Sequence, residues 1–107
     1  MKDAGYFLVV RFWIDAGAEA QLMRWLEGGH VAEVLRQPGF LWCRRLKIAQ
    51  GGYAMLYGIA SRKDFEAYQS NRALHDKFNR EREPFAQQLR IERFSGEVEF
   101  SLEKETR

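Results

Sequence analysis

Two histidines are the side chains best suited to acid–base chemistry in this sequence. His30 stands in the stretch GGHVAEV and Glu33 follows one helical turn later, a spacing at which a carboxylate can orient an imidazole as a general base. The alternative is that His30 ends a helix and binds a backbone carbonyl beside the Gly-Gly pair. The sequence favours this alternative, because no nucleophile or second acid stands near His30. His75, in the charged stretch HDKFNRER, is expected to be solvated.

A second set of residues is suited to binding a ligand. Arg11 and Trp13 share one side of the strand-like stretch YFLVVRFWI. On this otherwise apolar face Arg11 must be paired or bind an anion, because burying an unpaired charge is costly. Pairing within the protein, to Glu97 or Glu99 of the last strand or to a second subunit, is favoured over a carboxylate ligand. A pocket for a flat hydrophobic ligand, or equally an ordinary core, is predicted from Trp42, Arg44, Tyr53, Met55 and Tyr57.

Several other chemistries have no support in the sequence. Cys43 is the only cysteine, and no Cys or His lies near it at metal-ligand spacing, so neither an intrachain disulfide nor a metal site is predicted. The chain has no glycine-rich phosphate loop, HExxH or CxxC motif, and no cofactor is predicted. Cys43 is expected to be an inert buried thiol.

The charge and hydropathy patterns exclude two further classes of partner. The 17 basic and 15 acidic residues are interleaved and give a formal charge of only +2, which argues against a nucleic-acid surface. No apolar run approaches the length of about 20 residues needed to span a bilayer, and the first residues do not resemble a signal peptide. With the single cysteine, this pattern predicts a cytoplasmic protein that binds neither nucleic acid nor membrane.

The first half of the chain predicts two strands with a broken helix between them. Residues 6–14 form a strand, after which Asp15 is placed to cap a helix. Gly28 and Gly29 interrupt that helix, because each glycine costs a helix interior about 1 kcal/mol. A bend and a short second helix ending before Pro38 are therefore expected. A second strand is predicted over residues 40–48.

The second half begins with a tight turn at residues 50–52 and a strand over 53–60. Ser61 and Asp64 form a capping box that opens the next helix. This helix is expected to be interrupted at residues 70–71, and to kink or restart at Pro84 before ending near residue 90. A last strand over 91–103, with a bulge at Ser95-Gly96, precedes a charged and frayed tail, residues 103–107.

The resulting order, β-α-β-β-α-β, predicts an α+β ferredoxin-like fold in a single domain, residues 1–107. Its four-stranded antiparallel sheet carries helices on one face only. The other face of the first strand, with Phe7, Val9 and Trp13, is too apolar to face water. Pairing with a second copy of the chain, sheet against sheet, would cover it, so a homodimer is predicted.

Several stretches resemble the dimeric α/β-barrel superfamily. The pattern His30-x-x-Glu33-Val34-Leu35, followed by Gly39-Phe40, is similar to the helix-to-strand segment of a bacterial domain of unknown function (DUF4286-like). The stretch YQSNRALHDKF resembles the second helix of antibiotic-biosynthesis-monooxygenase-type barrels. The resemblance implies a ferredoxin-like fold, dimerisation and a cavity between sheet and helices.

Three functions are consistent with these observations. The first is a homodimeric barrel that binds a small aromatic or hydrophobic molecule. The second, allowed by the resemblance, is a cofactor-independent monooxygenase, cyclase or isomerase, with His30 as base and Arg11 or Arg44 steadying an oxyanion. The third is a structural or regulatory interaction module. A pocket of about 300 Å³ or more that reaches His30 would favour the first two functions, and a packed interior would favour the third.

Overall fold

The computed structural model describes residues 3–105 of the chain. Its strands are β1 (Tyr6–Ile14), β2 (Phe40–Lys47), β3 (Tyr53–Ile59) and β4 (Leu89–Glu97). Its α-helices are α1 (Ala16–Trp25), α2 (Val31–Leu35), α3 (Arg62–Gln69) and α4 (Arg72–Arg82), with a π-helical turn at Leu26–His30 and a 3₁₀ turn at Glu83–Phe85. The strands form one antiparallel sheet in the order β2-β3-β1-β4, and the helices pack on one face. The predicted ferredoxin-like α+β fold is confirmed.

The core lies between the helices and the inner face of the sheet. Alternation along β1 places Leu8 and Phe12 inward, opposite Tyr57 and Tyr53 of β3. Buried side chains from the helices complete this core, among them Leu22, Leu26, Val34, Phe65 and Phe78. The other side chains of each strand point to the outer face of the sheet, and no helix covers this face.

The helices break where the sequence predicts. The π-helical turn contains Gly29, whose φ of 161° and ψ of −30° are not helical, and this turn reorients the chain between α1 and α2. Asp15 occupies the N-cap position of α1, but its side chain makes no capping hydrogen bond. Ser61 does cap α3, accepting a hydrogen bond from the backbone N–H of Asp64. Asn71 separates α3 from α4 and caps α4 in the same way.

The prediction for the last strand was wrong in three respects, the first being its start, which is Leu89 and not residue 91. Strand β4 ends at Glu97, not at residue 103, and its pairing with β1 runs from Leu89 to Glu97 without a bulge. The pairing stops because β1 begins at Tyr6, and the last backbone bond runs from the Val98 N–H to the Gly5 carbonyl at 2.9 Å. Beyond this point the neighbouring strand has ended, so the alternating stretch has nothing to pair with.

The segment after β4, residues 98–105, forms no regular structure. Phe100 and Leu102 are 81% and 83% exposed, and Val98 is also exposed. The predicted frayed tail, residues 103–107, lies partly outside the described residues. No helix within residues 3–105 has the length and apolar character required to cross a bilayer.

Candidate functional site

A cavity of about 60 Å³ lies between the inner face of the sheet and the helices. Most of its wall is apolar and comes from Leu8, Val10, Phe12, Leu22, Trp25, Leu26, Val34, Met55, Leu89 and Ile91. Its polar lining consists of His30, Tyr57, Tyr68, Arg82 and Arg93. An apolar enclosure with a few convergent polar groups is the usual form of a small-molecule site.

His30 reaches this cavity from the π-helical turn. It continues the buried stripe of Leu22 and Leu26, and only 9% of it is exposed. Its ring stacks on Trp25 with centroids 4.0 Å apart and meets the edge of Phe78 at 4.4 Å. Burial, reinforced by the charge of Arg82, lowers the pKa of His30 to about 4. The imidazole is therefore neutral at physiological pH.

Neither of the two contacts considered for His30 from the sequence is present. Glu33 binds Lys77 at 2.6 Å instead of orienting the imidazole, and this bond lowers the pKa of Glu33. The Nδ1 atom of His30 is buried and reaches no backbone carbonyl or other partner within residues 3–105. Lys77 also pairs with Glu81 at 3.2 Å, and Glu81 accepts from the Trp25 indole at 3.3 Å. Glu33 thus helps to tie α2 to α4.

Two arginines face the open side of the cavity. Arg82 ends α4 and is half-buried, and Arg93 is an exposed residue on the inner face of β4. Burial, followed by the nearby charge of Arg93, lowers the pKa of Arg82. Its side chain donates a hydrogen bond to Asn79 Oδ1 at 2.8 Å. Within the described part of the chain, neither arginine forms an ion pair.

Arg82 lies between the cavity and two depressions on the protein surface, because it lines all three. One depression has a volume of about 290 Å³ and is lined by Tyr68, His75, Phe78 and Arg93 among others. The second has a volume of about 340 Å³ and is lined by Asn79, Glu83, Ala86, Leu89 and Ile91. Arg82 lines both depressions as well as the cavity, and it shares the first boundary with Tyr68 and Arg93 and the second with Leu89 and Ile91.

His75 is not the solvated residue that its charged surroundings predict. It is half-buried, its Nε2 atom lies 2.9 Å from the carbonyl oxygen of Tyr68, and its ring packs on the Tyr68 ring at 4.7 Å. These contacts join α4 to the end of α3. The residue therefore supports Tyr68 at the rim of the cavity.

Only one of the six predicted ligand-binding residues lies in the cavity. Tyr57 lines it, and burial raises the pKa of Tyr57 and of the neighbouring half-buried Cys43. Tyr53 also faces inward, but it lies near the opposite end of β3, where its hydroxyl donates to Glu19 at 2.9 Å. It lines a separate, open depression beside Gly52.

Trp42 and Arg44 lie on the outer face because of an irregularity in β2. The register shifts between Phe40 and Trp42. Phe40 therefore points inward, while Trp42 pairs with Gly58 on the outer face. Simple alternation from Phe40 would have placed both residues in the core. The Arg44 guanidinium stacks over the Trp42 ring at 5.1 Å.

Arg11 and Trp13 also lie on the outer face. The residue opposite Arg11 on β4 is Glu92. Glu97 and Glu99 lie several residues further along the chain and are not opposite Arg11, so the predicted pairing with either of them was wrong. The guanidinium lies over the Trp13 ring at 4.6 Å, and its Nε atom is buried without a partner among the described residues.

Arg82, Arg93 and Tyr68 were not predicted from the sequence as site residues. A usable signal was present: Arg82 follows Leu74 and Phe78 at helical spacing, and Arg93 follows Leu89 and Ile91 at strand spacing. A charged residue on an apolar stripe is the same signal that drew attention to Arg11. For metal binding, residues 3–105 contain no cluster of three or more His, Cys, Asp or Glu side chains.

No family model matches the chain, and no curated protein matches it significantly. Solved structures do match in fold. The heme-degrader MhuD from Mycobacterium tuberculosis, solved with two hemes in its active site, has a TM-score of 0.67 at 20% identity, covering 92% of this chain and 99% of its own. The cofactor-independent oxygenase SnoaB from Streptomyces nogalater has a TM-score of 0.69 at 16% identity, with 94% and 100% covered.

A third match is the ActVA-Orf6 monooxygenase of Streptomyces coelicolor, solved with the ligand nanaomycin D. Its TM-score is 0.66 at 18% identity, and 95% of this chain and 94% of that chain are covered. These neighbours are ferredoxin-like dimeric barrels of the antibiotic-biosynthesis-monooxygenase type, whereas the DUF4286-like resemblance has no support. The chain thus shares the fold of a group that includes a heme-degrader and monooxygenases.

Proposed function

We propose that this chain binds a small aromatic molecule in the cavity between its sheet and helices. The observation that carries the proposal is the combination of an apolar wall, a neutral imidazole at His30 and two unpaired arginines at the open side. The structural neighbours lend support, because one of them was solved with nanaomycin D and another with heme.

The cavity must widen to take such a molecule. Its volume of about 60 Å³ is well below the roughly 300 Å³ of a typical ligand pocket, although it does reach His30. Outward rotation of the Arg82 side chain would join it to the two surface depressions of about 290 and 340 Å³. Long flexible side chains change rotamer readily at binding sites, so a widening of this kind requires no backbone movement.

Binding can be tested with 2-naphthamide, a neutral aromatic probe, by following tryptophan fluorescence. Ile91→Trp places a large ring in the cavity wall on the edge strand β4 and should weaken binding by at least about tenfold, since about 1.4 kcal/mol of lost contact is enough. Ile48→Trp is the matched control, because Ile48 lines a separate depression. Equal affinity in the two variants would show that the ligand does not occupy this cavity.

The homodimer predicted from the sequence is part of the proposal. Beside Phe7, Val9 and Trp42, the outer face of the sheet carries Phe94, which is 61% exposed, and Leu46, which is 49% exposed. A second copy placed sheet against sheet would cover this apolar face. The exposed segment at residues 98–102 extends beyond the sheet and would lie against the same partner.

The second candidate function is cofactor-independent oxygenation with His30 as base. It is favoured by the place of His30 in the cavity wall, where burial keeps the imidazole unprotonated, and by the nearby charge of Arg82. For a substrate such as anthrone, the base removes a C–H proton and leaves an enolate that the arginine stabilises. Dioxygen then gives one oxygen atom to the product carbonyl and the other to water, so no external reductant is consumed.

Oxygen uptake with anthrone tests this candidate. His30→Gln should remove about 100-fold or more of the rate, the usual contribution of a general base. In the wild type, the rate should rise with pH around 4, where His30 loses its proton, and not around the ordinary histidine value. A rate that survives the substitution unchanged would exclude His30 as the base.

Heme is not the ligand proposed here. The imidazole of His30 lies between Trp25 and Phe78, and the Nε2 atom of His75 faces the Tyr68 carbonyl. The single domain and the cytoplasmic location inferred from the sequence stay predictions, as does the lack of nucleic-acid or membrane partners.

A further inference from the structure

The two arginines at the cavity come from elements far apart in the sequence. Arg82 is the last residue of α4, and Arg93 lies in the middle of β4, where it is paired with Val10. Both line the cavity, and both also line the depression beside Tyr68. Each is close enough to the other for the charge of Arg93 to lower the pKa of Arg82. Folding therefore brings two like charges to one side of an apolar space.

Nothing in the described residues neutralises this pair. Glu81 and Glu83 adjoin Arg82 in the sequence, but neither forms an ion pair with it within residues 3–105, and the carboxylate of Glu81 is bound by Lys77 at 3.2 Å and by the Trp25 indole at 3.3 Å. Asn79 gives Arg82 only a neutral acceptor. The other polar groups at the cavity, His30, Tyr57 and Tyr68, are uncharged in the physiological range, because burial lowers the pKa of the histidine and raises those of the tyrosines.

Arg82 is half-buried and Arg93 is exposed, and two like charges held side by side in this way repel each other; an anion placed between them relieves that repulsion. Arginine is well suited to this role, because its planar guanidinium donates paired hydrogen bonds to a carboxylate or to an ionised hydroxyl. A neutral ligand would leave the repulsion in place. The arrangement thus selects for a ligand that is apolar over most of its surface and negatively charged at one end.

We infer that the ligand of this cavity is an aromatic anion whose charged oxygen is bound by Arg82 and Arg93. The inference rests on the proposed function and adds the charge and orientation of the ligand. The aromatic body enters toward Leu8, Val10 and His30, and the anionic group remains at the rim. Arg82 moves outward to admit the body and then binds the charge, so the residue that closes the cavity also sets its specificity.

The test compares two probes of nearly equal shape, 2-naphthoate and 2-naphthamide, at pH 7. A charge-assisted hydrogen bond contributes about 1.5–3 kcal/mol, so the wild-type protein should bind the carboxylate at least about tenfold more tightly. Arg82→Gln and Arg93→Gln should each reduce this preference to about threefold or less, mainly by weakening 2-naphthoate. Arg80→Gln is the control, since it removes the same charge from an exposed position on α4 and should keep the full preference.

The outcomes separate the inference from the function on which it rests. If both probes bind the wild type equally, or if Arg82→Gln and Arg93→Gln keep the tenfold preference, the anion site is refuted while the aromatic cavity stands. If neither probe binds, the proposed function fails and the inference fails with it. A third probe, 2-naphthol, identifies the preferred anion. A red-shifted absorbance on binding at pH 7 would indicate an ionised hydroxyl, and its absence together with tight 2-naphthoate binding would indicate a carboxylate.

Discussion

Replacing His30 should change how the stability of the protein depends on pH. Burial lowers the pKa of His30 from 6.5 to about 4 in the folded chain, whereas the unfolded chain has the ordinary value. The unfolded state therefore binds more protons as the pH falls below 6.5, and the folded state loses stability until the pH passes below about 4. Because a tenfold difference in proton affinity between the two states corresponds to about 1.4 kcal/mol, the total loss is about 3 kcal/mol.

About 2 kcal/mol of this loss falls between pH 7 and pH 5, because His30 is already almost fully protonated in the unfolded chain at pH 5 and still mostly neutral in the folded one. This window also isolates the histidine from Glu33, whose lowered pKa moves its titration further below pH 5. The measurement is urea unfolding followed by tryptophan fluorescence at both pH values, at one fixed protein concentration.

His30→Gln is the informative variant, because an amide is similar in size and does not titrate. Its stability at pH 7 should change by about 1 kcal/mol or less, since the Nδ1 atom that it replaces has no partner to lose. Its loss between pH 7 and pH 5 should be smaller than that of the wild type by about 2 kcal/mol. Equal losses in the two proteins would refute the assignment of a buried neutral imidazole to this position.

Further outcomes concern the outer face of the sheet and the segment that follows β4. Sedimentation at micromolar concentration should give twice the chain mass of 12.6 kDa, and Val9→Asp should dissociate or unfold the protein, since it buries an unpaired charge; a wild-type monomer would refute the proposed pairing. Phe100→Ser combined with Leu102→Ser should weaken the dimer and leave the circular dichroism of the monomer unchanged, because both side chains are exposed in the single chain. Gly58→Ala should cost about 1–3 kcal/mol by overpacking, since the added Cβ would overlap the Trp42 ring; an unchanged urea midpoint would contradict that packing.

The fold could be predicted because its signals are local. Capping by Ser61, the break before α4 and the restart at Pro84 depend only on neighbouring residues. The buried face of α1 continues through Leu26 to His30, because the π-helical turn bends the chain without reversing its direction. The order of these elements then leaves few possible topologies.

The structure does not bring the predicted ligand-binding residues together, for a different reason. Whether a strand residue faces the core depends on counting every position correctly, and one register shift after Phe40 moved Trp42 and Arg44 to the opposite face. Tyr53 and Tyr57 do share a face, but their four-residue separation along β3 is roughly 13 Å, which places them at different depressions. The sequence shows which side chains are of a suitable type, but it does not show which of them lie close together in the folded chain.

The end of β4 shows a limit of a different kind. Alternation over Val98, Phe100 and Leu102 is a genuine strand pattern, yet a strand forms only where a neighbour offers its backbone groups. Within one chain, β1 supplies that neighbour as far as Glu97 and then ends. A second chain lying beside this segment, as in the proposed homodimer, would offer the backbone groups that β1 does not.

Arg82 and Arg93 are the residues whose role required the three-dimensional arrangement. An arginine at the end of an amphipathic helix usually extends along the apolar surface and places its charge in water, and Arg82 alone fits that description. It becomes unusual because β4 brings a second unpaired arginine to the same cavity while Lys77 and Trp25 occupy the carboxylate of Glu81. The requirement for an anion therefore arises from three elements together, the end of α4, the middle of β4 and the end of α1.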